Sequence, residues 1–289
     1  MERLKLGDYN TLEIVKEVDF GLYLDGGEYG EILLPARYVP ETYAIGQAIE
    51  VFLYLDSEER LIATTEQPLA RVGDFAFLRC SWVNRHGAFL HWGLMKDLFC
   101  PFGEQRARME VGRSYMVHVH IDHETSRIMA SAKLDRYLNA SPPPYGRGDE
   151  VGIMVWHRTD LGYKVIVDNE YQGLVYANQM FRTIYPGDRL TGYVDGVRSD
   201  GKIDIALQRT GRQQTVEFAH ALYQYLKDNG GSCPLGDKSD AEEIKRVFQV
   251  SKKTFKKAVG DLYRKRLITI SEDGIALTGE GEFRWSEFD

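Results

Sequence analysis

The sequence predicts a multidomain, mainly β protein in which three small closed β-barrels are followed by an α+β winged-helix domain. One observation is a segment that occurs three times with the same spacing between two glycines. The other is a change to helical periodicity beyond residue 212. A chain of 289 residues has room for roughly two to four domains.

The repeated segment is defined by glycines and β-type alternation. A strand rich in β-branched and aromatic residues leads to Gly21, Gly87 or Gly162, and another glycine follows 25 residues later. Each second glycine precedes a further predicted strand: Gln47–Leu55, Arg113–Ile121 and Asp188–Val197. A polar turn and a short apolar strand then follow: Leu61–Thr64, Ile128–Ala132 and Ile203–Leu207. About five short strands in 65–75 residues suit a closed barrel, which leaves no free sheet edge.

The C-terminal part has helical periodicity. Three apolar stripes predict three helices, and the third helix begins after Ser251, a suitable N-cap. The third stripe consists of Phe255, Ala258, Val259, Leu262 and Tyr263. A hairpin signal at Glu272-Asp273-Gly274 completes a winged helix. The predicted domains are residues 1–67, 68–141, 142–211 and 212–289, with Pro142-Pro143-Pro144 in a stiff linker.

The second repeat carries a family resemblance. Gly87-Ala88-Phe89-Leu90, Gly112 to Asp122 and Arg127 to Ser131 resemble the S1 family of RNA-binding OB-folds. The other two repeats are similar, and the resemblance covers about residues 5–210. It implies three S1-like OB-fold barrels that bind single-stranded RNA.

The same resemblance implies which side chains touch RNA. In the S1 family, bases stack on aromatic residues just before the bend glycine and two residues after it. The corresponding residues are Phe20 and Tyr23, then His86 and Phe89, then Leu161 and Lys164. The family's basic residue after the fourth strand corresponds to Arg60, Arg127 and Lys202. The third repeat therefore lacks stacking rings, and each aromatic residue in the first two could instead belong to a barrel core.

The charge distribution favours the second repeat as the RNA-binding barrel. The whole chain has a net charge of −7, but residues 1–67 alone hold 5 basic and 14 acidic residues. Residues 68–141 hold 10 basic and 7 acidic residues. Because exposed charges are screened beyond about 10 Å, local balance matters more than the total. We expect the acidic first repeat to pack against another domain or a protein partner.

The third predicted helix is strongly basic. Residues 252–266 contain seven Lys or Arg residues and one Asp. Lys253, Lys256, Lys257 and Arg264 lie opposite the apolar stripe and are candidate RNA phosphate contacts. Three S1-like repeats before a winged helix resemble the bacterial conserved virulence factor B family of RNA-binding proteins, which implies gene regulation at the RNA level. A DNA-binding transcription regulator that uses the winged helix and a protein–protein scaffold are the alternatives.

Other classes of function receive little support from the sequence. His118 and His120 could share a strand face, but exposed strand residues explain them better than a metal site. The sequence has no phosphate-loop or nucleophile motif, so we expect no enzymatic activity and no cofactor. No apolar run reaches the roughly 18 residues of a membrane span, and three widely separated cysteines suit reduced thiols. These features predict a cytoplasmic protein whose oligomeric state stays open.

Overall fold

A computed structural model of the chain describes residues 4–177, 180, 182–209 and 212–279, without the side chains of residues 212 and 213. The predicted boundary between the third and fourth domains falls at residue 211, and residues 210 and 211 lie outside the described part. The chain divides into two compact units, Met1–Asn139 and Ala140–Asp289. The described residues form three closed five-stranded barrels and a small α+β domain, as predicted.

Barrel 1 contains five strands: β1 (Tyr9–Val18), β2 (Gly21–Asp25), β3 (Glu31–Pro35), β4 (Ala48–Leu55) and β5 (Leu61–Thr64). Its closed order is β1-β2-β3-β5-β4, with β3 and β5 paired in parallel. Every second residue of β2 and β3 points inward, so Leu22, Leu24, Ile32 and Leu34 are buried in the barrel core.

Barrel 2 repeats this arrangement with β6 (Phe75–Val83), β7 (Gly87–His91), β8 (Leu98–Pro101), β9 (Ser114–Ile121) and β10 (Ile128–Ser131). The strand order is equivalent, and β8 and β10 are the parallel pair. The two barrels pack directly on each other: Phe52 of β4 lies edge-on against Trp92, with ring centroids 5.9 Å apart. Asp8 also forms an ion pair with Arg71 at 3.2 Å. Because buried residues of both barrels share one core cluster, we treat barrels 1 and 2 as a packed pair.

The bend glycines are required by close backbone approach. A Cβ atom on Gly21 would lie 2.1 Å from the carbonyl oxygen of Leu34, and one on Gly162 would lie 2.0 Å from that of Val175. Gly21 and Gly162 also have φ values of +149° and +151°, which residues with a Cβ atom rarely adopt. These contacts explain why the glycine at the start of the second strand recurs in the repeat.

Barrel 3 has the same topology, with β11 (Glu150–Thr159), β12 (Gly162–Val167), β13 (Tyr171–Tyr176), β14 (Arg189–Val197) and β15 (Ile203–Ala206). Its core consists mainly of β-branched residues such as Val155, Val165, Val175 and Ile205. Such residues pack well on a pleated surface, which agrees with the alternation in the sequence.

The winged helix contains α1 (Arg212–Asp228), β16 (Ser232–Cys233), α2 (Ala241–Phe248), α3 (Lys252–Arg264), β17 (Ile268–Ser271) and β18 (Gly274–Leu277). Ser251 is the N-cap of α3, and its hydroxyl accepts a hydrogen bond from the Thr254 N–H at 3.0 Å. Phe255 and Leu262 are fully buried, as predicted. The assignment of Tyr263 to the core was wrong, because this side chain is 54% exposed. The two-residue strand β16 was not predicted.

Candidate nucleic-acid interface

A row of large apolar side chains crosses the outside of barrel 2. Trp82 of β6 lies opposite Phe89 of β7, Phe89 lies opposite Phe99 of β8, and Phe99 lies opposite Met129 of β10. Cross-strand neighbours on one face of a sheet are close enough for their side chains to interact. The four residues therefore form a continuous surface across four adjacent strands, which we call the aromatic row.

Trp82 and Phe89 are stacked. Their ring centroids are 3.6 Å apart with an interplanar angle of 3°, and the indole N–H of Trp82 donates to a carboxylate oxygen of Asp97 at 3.2 Å. Phe89 also contacts Phe99, with centroids 4.9 Å apart. Phe89 is half-buried beneath Trp82, whereas Trp82 itself is 45% exposed. The predicted stacking residue Phe89 thus supports a more exposed outer ring, that of Trp82.

A β-bulge explains why the sequence pattern does not predict Trp82 on the outer face of barrel 2. The inward positions Leu78 and Cys80 place Trp82 inside the barrel if the alternation is regular. The register between β6 and β7 shifts between Cys80 and Trp82. The extra residue turns Trp82 to the outer face, opposite Phe89.

A cavity of about 480 Å³ adjoins the aromatic row at the junction of barrels 1 and 2. Phe89, Phe99 and Met129 contribute apolar surface, and the predicted residue His86 lies at its edge. His86 is exposed, and its Nε2 accepts a hydrogen bond from Arg85 Nε at 2.9 Å. The structure therefore brings together two of the residues predicted for barrel 2, His86 and Phe89, beside a concave surface.

The predicted cation Arg127 also lines this cavity, but barrel 1 supplies its partner. Arg127 Nε lies 3.1 Å from Oε2 of Glu59, and Lys96 Nζ lies 3.2 Å from Oε1 of the same carboxylate. Lys96 was not among the predicted residues, because its role depends on packing between barrels. Two cations of barrel 2 therefore flank one carboxylate of barrel 1.

Barrel 1 keeps its predicted aromatic pair at the surface. Phe20 is 56% exposed and lies edge-on to Tyr23, with centroids 6.2 Å apart. Its predicted cation is engaged, since Arg60 forms ion pairs with Asp56 at 2.7 Å and with Glu58 at 3.0 Å. The hydrogen bond to Asp56 raises the pKa of the Arg60 guanidinium above its usual value. The predicted cation of barrel 1 is thus engaged by acidic side chains, while Lys16 lies over the Tyr23 ring at 5.2 Å and 3.7 Å from Glu31.

In barrel 3, the described positions that correspond to the aromatic row hold His157, Lys164, Leu174 and Asp204. Leu161 is exposed and Lys164 lies over the ring of Trp156 at 5.4 Å, so the positions that hold rings in the other barrels hold an aliphatic chain and an amine. On the same face, Lys164 lies opposite Leu174. The expectation that this barrel lacks the stacking site stays a prediction.

The basic face of α3 is only partly available. Lys253 and Lys257 are exposed, and no ion pair is found for either within the described residues. Lys256 lies 3.3 Å from Asp237, and Arg264 forms an ion pair with Asp261. Lys253 and Lys257 are therefore the better candidates of the four for phosphate contacts.

His118 and His120 of β9 belong to an aromatic cluster, and the expectation that they are exposed strand residues was wrong, because His118 is buried and His120 is partly buried. Tyr137 stacks on His118 with centroids 4.0 Å apart, and Phe75 contacts the same imidazole. Burial lowers the pKa of His118 to about 4. In the described ranges, no group of three or more His, Cys, Asp or Glu residues could hold a metal ion. Within the same ranges, no helix has the length and apolar character needed to cross a membrane.

The fold and the comparisons with known proteins define a class. Residues 6–66 match the S1 domain model, and residues 220–277 match the model of the CvfB-like winged helix domain. The chain is thus a multidomain, mainly β protein of S1-type OB-fold barrels with a CvfB-like winged helix.

Relatives of this class cover most of the chain. It is 25% identical to the uncharacterized protein YitL of Bacillus subtilis over 272 residues, which are 91% of this chain and 90% of the relative. It is 22% identical to conserved virulence factor B of Staphylococcus aureus over 252 residues, covering 85% and 83% of the two chains. A solved multidomain protein with nucleic acid binding domains from Streptococcus pneumoniae is 22% identical, covers 94% of this chain and 98% of its own, and superposes with a TM-score of 0.43. The winged-helix domain model and the relatives in Bacillus and Staphylococcus confirm the resemblance to the conserved virulence factor B family.

Proposed function

We propose that this chain is a non-enzymatic protein that binds single-stranded RNA in the bacterial cytoplasm and regulates gene expression at the RNA level. The observation that carries the proposal is the aromatic row on barrel 2, whose outermost ring, Trp82, is 45% exposed. An unpaired base stacked on an aromatic ring gains about 1–3 kcal/mol, and every base has a face that can stack. The proposed binding is therefore tolerant of sequence.

Cations near the aromatic row favour a polyanion over an apolar ligand. Arg127 and Lys96 line the adjoining cavity together with Phe89 and Phe99. Stacking rings beside cations are the combination that recognises single strands, because the rings take bases and the cations take phosphates. A base paired in a duplex cannot present its face in this way, which argues for a single strand.

The winged helix adds a second basic surface. Lys253 and Lys257 project from α3 on the side opposite the buried Phe255 and Val259. The wing between β17 and β18 carries the acidic pair Glu272-Asp273, which would repel a nucleic-acid backbone. We therefore assign α3 an auxiliary electrostatic role rather than base reading. The protein partner expected for barrel 1 stays a prediction.

Competition binding tests this proposal. A fluorescently labelled oligouridylate is titrated with the full chain at several salt concentrations, and unlabelled RNA, duplex DNA of equal length and neutral dextran compete. We expect RNA to compete best and the affinity to fall steeply with salt, because phosphate contacts release counterions. Preferential competition by duplex DNA would support the transcription-regulator alternative. Absence of binding to either nucleic acid would overturn the proposal and favour a scaffold.

A further inference from the structure

Glu59 lies in the turn between β4 and β5 of barrel 1, where the backbone is fixed by Asp56. The Asp56 carboxylate accepts hydrogen bonds from the N–H groups of Glu58 and Arg60, both at 2.9 Å. This geometry gives Glu59 a φ of +62°, in the left-handed region. A non-glycine residue there costs about 1–2 kcal/mol relative to the right-handed conformation.

The turn itself does not require a glutamate. The corresponding position of barrel 3 is Gly201, with a φ of +77°, which a glycine adopts without strain. Both residues directly precede the basic residue of their repeat, Arg60 or Lys202. The equivalent residue of barrel 2 is Ser126, with a φ of +56°, so the left-handed conformation belongs to the turn and Glu59 differs from both equivalents in its side chain.

The side chain of Glu59 reaches into barrel 2. Its two oxygens lie 3.2 Å from Lys96 Nζ and 3.1 Å from Arg127 Nε, and all three residues line the cavity beside the aromatic row. Lys96 Nζ is further anchored by donating to the backbone carbonyl of Asp56 at 2.7 Å. A single anionic group held between two cations, next to stacking rings, has the position that a backbone phosphate takes when its base lies on those rings.

We propose that the junction of barrels 1 and 2 is a binding site for one unpaired nucleotide, in which the phosphate replaces the Glu59 carboxylate between Lys96 and Arg127. The base lies in the cavity against Phe89 and Phe99. This inference rests on the proposed single-strand binding and adds to it a site that needs both barrels. Glu59 is about one-third exposed, and ion pairs this exposed contribute at most about 1 kcal/mol, so a phosphate can displace it.

The replacement makes Glu59 a competitor of the ligand within the same chain. Neutralising it as E59Q should strengthen binding of labelled oligouridylate by about two- to fivefold, the equivalent of a lost exposed ion pair. The dependence of log affinity on log salt should also become steeper, because the two cations then face the phosphate without a rival.

Glu58 provides the matched control, since it lies in the same turn and pairs with Arg60 of its own barrel. E58Q changes the net charge equally, so equal gains from E58Q and E59Q would mean a general charge effect and overturn the proposal. R127Q should weaken binding, and E59Q should give a smaller gain in the R127Q background, because only Lys96 then remains for Glu59 to occupy. A gain of undiminished size without Arg127 would also overturn it. If the unaltered chain does not bind the oligonucleotide, the proposed function is wrong. If the unaltered chain binds and E59Q binds with the same affinity, only the proposed nucleotide site is rejected. E59D, which withdraws the carboxylate from both cations, is the second variant and should change affinity in the same direction.

Discussion

The replacement of Trp82 by alanine tests the assignment of the outer ring. Trp82 stacks on Phe89 and is 45% exposed, so the variant removes the most exposed ring of the aromatic row while the barrel core stays filled. We expect Trp82→Ala to weaken binding of single-stranded RNA and to leave barrel 2 folded.

Both magnitudes follow from the contacts of Trp82. Loss of one base stack corresponds to about 1–3 kcal/mol of binding, or an increase in Kd of about 5- to 150-fold. The folded state loses one aromatic pair, worth about 0.5–1.5 kcal/mol, and the hydrogen bond to Asp97, worth a similar amount. Losses of this size lower the melting temperature by several degrees without unfolding a domain whose core residues, such as Leu78 and Leu90, remain buried.

Fluorescence anisotropy with labelled oligouridylate measures the affinity, and circular dichroism measures the melting temperature. Phe89→Ala should weaken binding at least as much as Trp82→Ala, since it removes the ring that supports Trp82. Phe20→Ala is the control, because Phe20 is an equally exposed ring in the acidic barrel 1, and its loss should leave the affinity nearly unchanged. Unchanged binding by Trp82→Ala, together with a loss in Phe20→Ala, would refute the choice of barrel 2.

Three further predictions concern other parts of the chain. The double variant Lys253→Ala/Lys257→Ala should lower RNA affinity and flatten the salt dependence by about 0.7 per lost phosphate contact; an unchanged slope would contradict direct contact. Burial lowers the pKa of His118 to about 4 in the folded state. Between about pH 6.5 and pH 4, the imidazole is therefore protonated in the unfolded state and neutral in the folded state. Stability should therefore fall by about 2–3 kcal/mol from pH 7 to pH 4 on account of His118, and His118→Phe should show a correspondingly smaller fall in denaturant titrations. Gly162→Ala should destabilise barrel 3 by about 2–4 kcal/mol, because its Cβ meets a carbonyl oxygen, whereas Gly260→Ala, with open space around it, should stabilise α3 by about 0.5–1 kcal/mol in thermal melts.

The topology of the barrels could be predicted because glycine spacing reports backbone geometry directly. Gly21 and Gly162 occupy positions where a Cβ would overlap a neighbouring strand. Gly46 and Gly187, 25 residues after each of them, have φ values of +85° and +95° at the turn before the fourth strand. The local backbone conformation requires glycine at each of these positions. Three copies of the repeat in one sequence therefore suffice to identify the glycine pattern.

The missed residues depend on departures from that regularity. Trp82 faces outward because a β-bulge interrupts the alternation of β6. The sequence pattern does not show that an extra residue is inserted at this point of the strand. Tyr263 fits the helical period of α3 yet is 54% exposed, while its neighbour Leu262 is fully buried. Periodicity gives the direction of a side chain, while its burial depends on what the neighbouring element covers.

The residues Glu59, Lys96 and Arg127 could not be connected from the sequence, because they belong to two barrels and meet only through packing. Treated separately, barrel 1 is too acidic for RNA, and barrel 2 holds a surplus of cations. Packed together, an acidic residue of the first barrel pairs with two cations of the second beside its aromatic row. Part of the acidity of barrel 1 is therefore directed at barrel 2, and in the proposed site the affinity of the pair for a single strand would depend on how readily phosphate replaces one carboxylate.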